Sequence, residues 1–222
     1  MSVSGIILAA GAGSRFGGAE SKVWAPLAGR PLVAHCVAAF AASHAVDEII
    51  VVVSARDEQR LPELAPTAMP LHPVRGGERR ADSAQAGLSR ARGDCVLVHD
   101  GARPLVSPDL IRRVVAAAQQ HGAAVPAVHV ADTVRYVEAG FLAAAVDRSG
   151  LVLVQTPQGF RRDLLAAGYA EAARRRLDLP DDAAAVLLLG HPVAVVPGDP
   201  ANIKITWPGD LTLAARLLAT RG

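Results

Sequence analysis

Short apolar runs of strand length alternate with helical segments along most of the chain, and this alternation constrains its fold more than any other feature. Five runs are continuous enough to be strands buried on both faces: GIILAA, EIIVVV, CVLVHD, AAVPAV and PVAVVP. The segments that predict helices are Pro31 to Ser43, Asp82 to Ala91, Ser107 to His121, Arg161 to Arg176 and Asp181 to Leu189. Such an order predicts an α/β fold with a mostly parallel sheet covered by helices on both faces.

One segment departs from this alternation. Between Asp132 and Phe160 the sequence reads as short β runs joined by glycine-containing turns, and no helix fits there. We therefore expect one domain over residues 1–222, with a protruding β-arm at approximately residues 132–158. An arm of this kind often pairs with a second subunit, whereas an ordinary edge hairpin within one subunit is the alternative.

Composition excludes several classes of protein. With 51% hydrophobic and 20% charged residues, the chain is typical of a folded globular domain. No apolar run approaches the roughly 18 residues of a membrane span, and no basic residue precedes the first apolar segment, so we expect neither a membrane partner nor secretion. A net charge of +2 with scattered basic residues does not indicate nucleic acid. Cys36 and Cys95 lie in apolar contexts, which favours buried thiols in a reducing, cytoplasmic compartment.

Ligands of parallel sheets bind beyond the carboxyl ends of the strands. This rule points to the residues that follow the predicted strands: 11–22, 75–83, 100–103 and 199–204. Among the 23 basic residues only Lys22 and Lys204 are lysines, and both fall in these segments. Lysine is a compact point charge and arginine a rigid fork, so the placement favours two sites that need a point charge, although chance retention is the alternative.

The first of these segments, LAAGAGSRFGGAESK, resembles a dinucleotide-binding turn only superficially. Its glycines follow GxGxxxG and not GxGxxG, and no acidic residue ends the next predicted strand. A P-loop is excluded as well, because Ser21 and not glycine precedes Lys22. A glycine loop with the cations Arg15 and Lys22 suits a triphosphate, since backbone N–H groups cradle it and the two side chains neutralise its charge.

Asp100 follows the apolar run of the third predicted strand and places a carboxylate at the ligand-binding edge. A hard cation such as Mg²⁺ binds through one or two carboxylates and phosphate oxygens, so Asp100 is a candidate ligand, directly or through water. The alternatives are a cap on the turn at Gly101 or an ion pair with Arg103. No nucleophile with an adjacent base is visible. That pattern suits a reaction in which an already ionised substrate phosphate attacks, because alignment and charge stabilisation then suffice.

Taken together, these segments resemble the 2-C-methyl-D-erythritol 4-phosphate cytidylyltransferases of the non-mevalonate isoprenoid pathway, nearly end to end. The resemblance rests on LAAGAGSRFGGAESK, GGERRADSAQAGL, VHDGARP, ADTVR, DRSGL, QTPQGF, DDAAAV and GDPANIKIT, in this order. It implies a Rossmann-like sheet of the nucleotidyltransferase type and an enzyme that makes CDP-methylerythritol and pyrophosphate from CTP and the sugar-alcohol phosphate. It also implies Mg²⁺, with other divalent cations as alternatives, and a homodimer. Ser21 departs from the family pattern, in which proline often precedes the lysine.

Carried over residue by residue, the resemblance implies a nucleotide site in the first half of the chain. Arg15 and Lys22 would hold the CTP phosphates and stabilise the charge that grows at the α-phosphorus. The groups expected around the rest of the nucleotide belong to Ala9, Ala10, Gly11, Gly13, Gly77, Glu78, Ser83, Asp100 and Gly101.

The resemblance places the second substrate on other residues. Asp100 would lie between metal, ribose and incoming substrate, and Lys204 would contact the methylerythritol phosphate and the reaction centre. Thr133 and Arg148, on the predicted arm, would reach the methylerythritol phosphate in the partner subunit's active site. The dimer would then be needed for activity.

Three other functions remain as alternatives. A related cytidylyltransferase acting on ribitol 5-phosphate shares the nucleotide half, but Thr133 within ADTVR and Arg148 within DRSGL favour the methylerythritol enzyme. A non-catalytic nucleotide-binding protein of the same fold is disfavoured because the candidate cations and Asp100 are all present. An NAD-dependent oxidoreductase is disfavoured by the spacing of the glycine loop.

Overall fold

The computed structural model describes residues 1–11, 16, 21–64 and 69–220, and the fold is given for these residues. Their strands, in chain order, are β1 (Val3–Ala9), β2 (Pro26–Leu27), β3 (Arg30–Pro31), β4 (Glu48–Val53), β5 (Leu71–Arg75), β6 (Cys95–Asp100), β7 (Ala123–His129), β8 (Arg135–Glu138), β9 (Phe141–Ala145), β10 (Val152–Val154), β11 (Gln158–Arg161) and β12 (Ala194–Pro197). Their α-helices are α1 (Leu32–Ser43), α2 (Arg80–Arg90), α3 (Pro108–His121), α4 (Arg162–Arg175), α5 (Asp182–Leu187) and α6 (Pro208–Ala219). Two 3₁₀ helices cover Lys22–Trp24 and Ala55–Glu63.

An eight-stranded mixed sheet organises the molecule. Strands β5, β4, β1 and β6 lie side by side and parallel. Strand β11 is antiparallel to both β6 and β7, between which it lies, and β12 runs parallel to β7. The predicted mostly parallel sheet flanked by helices is confirmed.

Alternating side chains of the central strands enter two different cores. Ile7, on β1, packs in one core with side chains of α1 and α3, and its neighbour Ile6 packs in the other with side chains of α2, α4 and α5. Successive side chains of a strand point to opposite faces, so a strand covered by helices on both faces must be apolar throughout. This is why four of the five predicted strands, which correspond to β1, β4, β6 and β7, read as continuous apolar runs. The fifth corresponds to β12, in which half-buried and exposed side chains alternate and Val195 is 59% exposed, so the predicted burial of this strand on both faces is wrong.

Strand β5 and helix α6 are absent from the predicted elements. The sequence of β5, LHPVR, is not a continuous apolar run because this strand lies at the edge of the sheet and pairs only with β4 among the described strands. An edge position tolerates Pro73 and leaves it exposed.

The segment between Asp132 and Phe160 divides into two parts, which corrects the expected excursion. Strands β8 and β9 form a separate two-stranded sheet, as a hairpin that leaves the main sheet. Strands β10 and β11 return to the main sheet, where β10 pairs with β7 and β11 fills the space between β6 and β7. The sequence of β11, QGFR, does not read as a buried apolar run, although its first three residues are buried. Two of those three are the polar Gln158 and the small Gly159.

Gly159 is small because α3 lies directly against it. A Cβ atom at this position would lie 2.9 Å from both the Ala118 Cβ and the Val114 Cγ1. Neither neighbour is the end of a flexible side chain, so a larger residue would push α3 away from the sheet.

No helix within the described part of the chain is both long and apolar enough to cross a membrane.

We expect Gly159→Ala to lower the free energy of unfolding by about 1–3 kcal/mol, because overpacking at a close helix–sheet contact forces the backbone to shift. Gly150→Ala is the matched control, since a Cβ atom there would meet nothing within 4 Å. Urea unfolding of both variants measures the difference. Equal midpoints for the two variants would contradict the packing argument.

Candidate active site

A cavity of about 340 Å³ lies beyond the carboxyl ends of β1 and β6. Its lining comes from five separated parts of the chain: the end of β1, the start of the first 3₁₀ helix, the residues before and within the first turns of α2, the turn after β6, and the loop before α6. The lining residues are Leu8, Ala10, Gly11, Lys22, Val23, Gly77, Glu78, Arg79, Arg80, Ser83, Asp100, Gly101, Ala102 and Lys204.

Most of the site residues expected from the sequence meet in this cavity. Those that line it are Ala10, Gly11, Lys22, Gly77, Glu78, Ser83, Asp100, Gly101 and Lys204. Ala9 is fully buried in β1 beside the cavity and does not line it. Gly13 and Arg15 lie outside the described residues.

Two expected residues lie elsewhere. Thr133 and Arg148 are exposed and flank the β8–β9 hairpin, and neither lines the cavity. The Arg148 guanidinium donates a hydrogen bond to the carbonyl oxygen of Ala131. Within one chain, therefore, the arm residues and the cavity are separate features.

Lys22 is positioned by its chain neighbours. The Ser21 hydroxyl donates a hydrogen bond of 2.8 Å to the carbonyl oxygen of Gly11, which joins the two ends of the glycine loop. Immediately after Lys22, the side chains of Val23 and Trp24 are buried, with 4% and 1% exposure. The lysine is thus held between a hydrogen-bonded residue and a core anchor, and its charge faces the cavity.

The loop before α2 approaches the end of β1 closely. The Gly76 N–H donates to the carbonyl oxygen of Val53 at 2.9 Å, and the Gly77 N–H donates to the Ser83 hydroxyl at 3.2 Å. A Cβ atom on Gly76 would lie 2.5 Å from the Ala10 Cβ and 2.7 Å from the Ser83 Oγ. Glycine at position 76 is therefore what allows these two walls of the cavity to meet.

Asp100 accepts hydrogen bonds from two cations at once. The Lys204 Nζ lies 2.6 Å from its Oδ2, and the Arg80 Nε lies 3.1 Å from its Oδ1. Burial by itself would raise the pKa of this carboxyl, but the charges of Arg80 and Lys204 outweigh burial and hold the pKa well below its usual range. Asp100 is therefore an anion at neutral pH, and it pairs with Arg80 and Lys204 rather than with Arg103, which the sequence left open as an alternative.

The loop that carries Lys204 is clamped onto the turn after β6. The Arg103 guanidinium donates to the carbonyl oxygen of Asn202 at 2.8 Å, and the Ile205 N–H donates to the carbonyl oxygen of Ala102 at 2.8 Å. Asn202 is fully buried, and its side-chain amide donates to the Thr156 carbonyl oxygen at 2.9 Å. These bonds bring a lysine from near the C-terminus to a carboxylate 104 positions earlier in the chain.

A buried hydrogen-bond chain supports the other side of Asp100. The Asp100 N–H donates to the Thr156 hydroxyl at 3.1 Å, and that oxygen lies 3.0 Å from the His99 Nδ1. The His99 Nε2 lies 3.2 Å from the Arg103 carbonyl oxygen, which can only accept, so Nε2 carries the proton and Nδ1 accepts from Thr156. Burial lowers the pKa of His99 to about 4, so the ring is neutral at physiological pH and its role is structural.

Reasoning from the sequence did not assign three charged residues to the site: Arg79, which lines the cavity, and the ion pair of Arg80 and Asp182. The Arg80 NH1 and NH2 groups lie 2.9 Å and 2.8 Å from the two oxygens of Asp182, and Tyr169 donates its hydroxyl hydrogen to the same carboxylate. Burial opposes the charge of Arg80, but Asp182 and Asp100 outweigh burial and raise its pKa. Both residues lie in quoted motifs, GGERRADSAQAGL and DDAAAV, but the sequence does not show that those motifs meet.

Neither cysteine is an activated nucleophile. Cys36 is fully buried, and burial raises the pKa of its thiol. Burial likewise raises the pKa of Cys95 to about 11. Both are free thiols, so the expectation that neither forms part of a disulfide agrees with the structure.

The described residues of the cavity supply few ligands for a metal ion. Within the described ranges, no group of three or more His, Cys, Asp or Glu residues could hold an ion. Asp100 supplies one buried carboxylate, and each of its oxygens already accepts a hydrogen bond from a cation. Mg²⁺ needs few protein ligands when substrate phosphates supply the others, and it keeps several waters. The donor set therefore fits an ion that is held mainly by phosphates and contacts Asp100 through water.

Comparison with known proteins agrees with this geometry. The family model for 2-C-methyl-D-erythritol 4-phosphate cytidylyltransferase matches residues 3–220. The enzyme of that name from Pelotomaculum thermopropionicum is 42% identical over 226 residues, which cover 99% of this chain and 95% of the relative. The bifunctional enzyme IspD/IspF of Anaeromyxobacter dehalogenans is 44% identical over 221 residues, which cover 97% of this chain but 57% of that longer protein.

Solved structures give the same result. The crystal structure of 2-C-methyl-D-erythritol 4-phosphate cytidylyltransferase from Thermus thermophilus is 39% identical, has a TM-score of 0.85 and covers 99% of this chain and 100% of its own. The 4-diphosphocytidyl-2C-methyl-D-erythritol synthase of Anaerococcus prevotii is 28% identical, with a TM-score of 0.86 and 98% of each chain covered. The matched residues span almost the whole chain and include every part of the cavity, so this chain belongs to the 2-C-methyl-D-erythritol 4-phosphate cytidylyltransferase family.

Proposed function

We propose that the chain transfers the cytidylyl group of CTP to 2-C-methyl-D-erythritol 4-phosphate and releases pyrophosphate. The observation that carries this proposal is the cavity in which Lys22, the glycine-rich loop at Gly77 and the Asp100–Lys204 pair converge. The family model and the named relatives support this substrate and not the ribitol 5-phosphate alternative.

The reaction needs little proton chemistry from the protein. A phosphate oxygen of methylerythritol phosphate attacks the α-phosphorus of CTP, a new P–O bond forms, and the bond to the β-phosphate breaks as pyrophosphate leaves. The attacking oxygen is already ionised, so no general base is required. The protein instead aligns the two phosphates and stabilises the charge that accumulates between them.

The nucleotide lies along the first half of the cavity. Backbone groups at Ala10 and Gly77 and the side chains of Glu78 and Ser83 surround the cytosine. Lys22, at the other wall, neutralises the triphosphate together with Arg15.

Lys204 serves the second substrate. Its Nζ lies 2.6 Å from the Asp100 Oδ2, and the lysine side chain lines the cavity and is 38% exposed. An incoming phosphate dianion competes with the carboxylate for this ammonium group. Lys204 would then lie beside both the attacking phosphate and the α-phosphate, where its positive charge lowers the repulsion between the two.

The proposed cofactor is Mg²⁺. Asp100 would hold this ion through water, because each of its carboxylate oxygens already accepts a hydrogen bond from a cation. When bound, the ion would supply positive charge that neutralises the triphosphate and the leaving pyrophosphate.

The proposed assembly is a homodimer formed through the β-arm. The hairpin exposes large apolar side chains on both strands, including Tyr136 at 62%, Phe141 at 78% and Leu142 at 74%. A two-stranded hairpin is marginally stable alone, and contiguous exposed apolar surface marks a protein interface. Thr133 and Arg148 flank this hairpin, so docking it on a partner subunit carries them toward the partner's cavity.

The proposed location of the enzyme is the reducing cytoplasm, which the buried free thiols of Cys36 and Cys95 support.

A pyrophosphate-release assay tests the reaction. We expect release with CTP and methylerythritol phosphate, a much lower rate with ribitol 5-phosphate, and loss of release in EDTA that added Mg²⁺ restores. Equal rates with the two sugar-alcohol phosphates would refute the assigned substrate, and full activity in EDTA would refute the metal.

Lys22→Ala should lower turnover on the order of 100- to 1000-fold, because it removes a pre-positioned charge from the transition state. The midpoint of urea unfolding should change little, since Lys22 itself is not a core residue. Arg216→Ala, which removes an exposed arginine from α6, is the control for a general loss of positive charge. Near-normal turnover of Lys22→Ala would contradict its role.

Mixing two defective proteins tests whether the arm acts across the dimer. Arg148→Ala should raise the KM for methylerythritol phosphate and leave CTP affinity nearly unchanged. A heterodimer of Arg148→Ala with Lys22→Ala should regain activity at low methylerythritol phosphate, because one of its two sites then combines an intact Lys22 with an intact Arg148. If Arg148 serves its own subunit, every site in the mixture is defective and activity stays low. Arg135→Ala, on strand β8 of the same arm, is the matched control.

A further inference from the structure

We propose that Asp182 and Tyr169, which lie behind the cavity, are positioning residues that act through Arg80 to keep one oxygen of Asp100 available to Lys204. The inference deepens the proposed function, on which it rests. Neither Asp182 nor Tyr169 lines the cavity, so any effect on the reaction must pass through Arg80.

Arg80 divides its nitrogens between two carboxylates. Its Nε donates to the Asp100 Oδ1 at 3.1 Å, and its NH1 and NH2 groups donate to the two oxygens of Asp182 at 2.9 Å and 2.8 Å. A guanidinium group is planar and rigid, so pairing both terminal nitrogens with one carboxylate fixes the direction of Nε. Asp100 therefore receives a single hydrogen bond from Arg80 at a defined angle.

The Asp182 carboxylate is held in place by its surroundings, so it cannot move with the Arg80 guanidinium if that group turns. It is 1% exposed, and the buried hydroxyl of Tyr169 donates a hydrogen bond to it. The Gln158 side chain anchors the start of α5, donating to Asp181 at 2.9 Å and accepting from the Ala183 N–H at 2.9 Å. Helix α4 also lies close, since a Cβ on its Gly168 would lie 2.5 Å from the α5 backbone.

Occupying the terminal nitrogens of Arg80 has a consequence for Lys204. Arginine and carboxylate prefer a bidentate pair, in which two N–H groups meet both carboxylate oxygens. If Asp182 did not hold its NH1 and NH2 groups, Arg80 could turn and bind both oxygens of Asp100. Lys204 would then lose its 2.6 Å partner and its place beside the reacting phosphates. Asp182 thus prevents Arg80 from competing with Lys204.

The charges around Asp100 agree with this division. Positive and negative groups alternate in the order Lys204, Asp100, Arg80 and Asp182, so Asp100 is compensated by Lys204 and Arg80, and Asp182 by Arg80. Arg80 is mostly buried, with a side chain 32% exposed, and a buried charge needs its partners. The alternation lets Arg80 be neutralised mainly by Asp182 and leaves the charge of Asp100 for Lys204.

The test compares Asp182→Asn and Tyr169→Phe with the wild type in the pyrophosphate-release assay. Asp182→Asn should lower kcat about 10- to 100-fold, as a misplacement of ~1 Å in a catalytic group can do, with the KM for CTP unchanged. Tyr169→Phe should have a smaller effect in the same direction. Asp178→Asn, which alters an exposed carboxylate between α4 and α5, is the control and should leave kcat unchanged.

A second pair of variants separates positioning from stability, because Asp182→Asn leaves Arg80 without its main partner. Added guanidinium should restore part of the kcat of Arg80→Ala, in which Asp182 can still hold the small cation in place. The double variant Arg80→Ala/Asp182→Asn, which removes both charges, should fold but show no rescue. Rescue that is equal in both variants, or that tracks only the folded fraction seen by circular dichroism, would overturn the inference.

A crystal structure of Asp182→Asn decides the point independently of activity. The inference expects Arg80 to turn toward both oxygens of Asp100 and Lys204 to move away from it. An unchanged Lys204–Asp100 distance, or an unchanged kcat in an active enzyme, refutes the positioning role. A wild type that is inactive with CTP refutes the proposed function instead, and the crystal structure still decides the inference.

Discussion

The carboxylate of Asp100 is the point at which the separate parts of the site are joined. It ends β6, receives Arg80 from α2 on one oxygen and Lys204 from the loop before α6 on the other. Its backbone N–H is bound by Thr156, which precedes β11. A buried anion at this position is stable only because cations from two distant segments reach it, and those segments are thereby held at the cavity.

The sheet makes this junction possible. Strand β6 lies next to β1 on one side and β11 on the other, so Ala10 and Gly11 after β1 and the turn before β11 both lie near the end of β6. Close contacts at Gly76 and Gly159 bring the surrounding walls and α3 nearer than any side chain would allow. The described walls of the cavity are therefore closely packed, whereas Thr133 and Arg148 lie on an exposed arm. In the function proposed above, the packed cavity would bind CTP and the arm would complete the second-substrate site in a partner subunit.

Prediction from the sequence succeeded where one physical rule governs a long segment. Strands buried on both faces must be apolar throughout, and the runs of β1, β4, β6 and β7 were recognised for this reason, whereas β12 is an apolar run with two of its four residues exposed. Helix α3 was similarly clear, because Ser107 accepts a hydrogen bond from the Leu110 N–H and Gly122 ends the helix at a φ of 83°. The rule fails for β5 and β11, since an edge strand needs no apolar run and a strand under a close helix needs small residues. Gln158 is buried, and its side-chain amide forms hydrogen bonds with the Asp181 carboxylate and the Ala183 N–H. No local pattern in the sequence reveals these partners.

The sequence by itself determined the α/β class, the ligand-binding edge and the chemical type of most residues that line the cavity, because those properties follow from local periodicity and from which residues succeed each strand. Only the tertiary structure decided the pairing of charges. The Arg80–Asp182 and Lys204–Asp100 pairs join residues 102 and 104 positions apart, and each depends on how two helices and a loop pack around β6. The carboxylate with which a cation pairs depends on the distance between them, on burial and on the neighbouring charges, and these are defined only once the chain has folded.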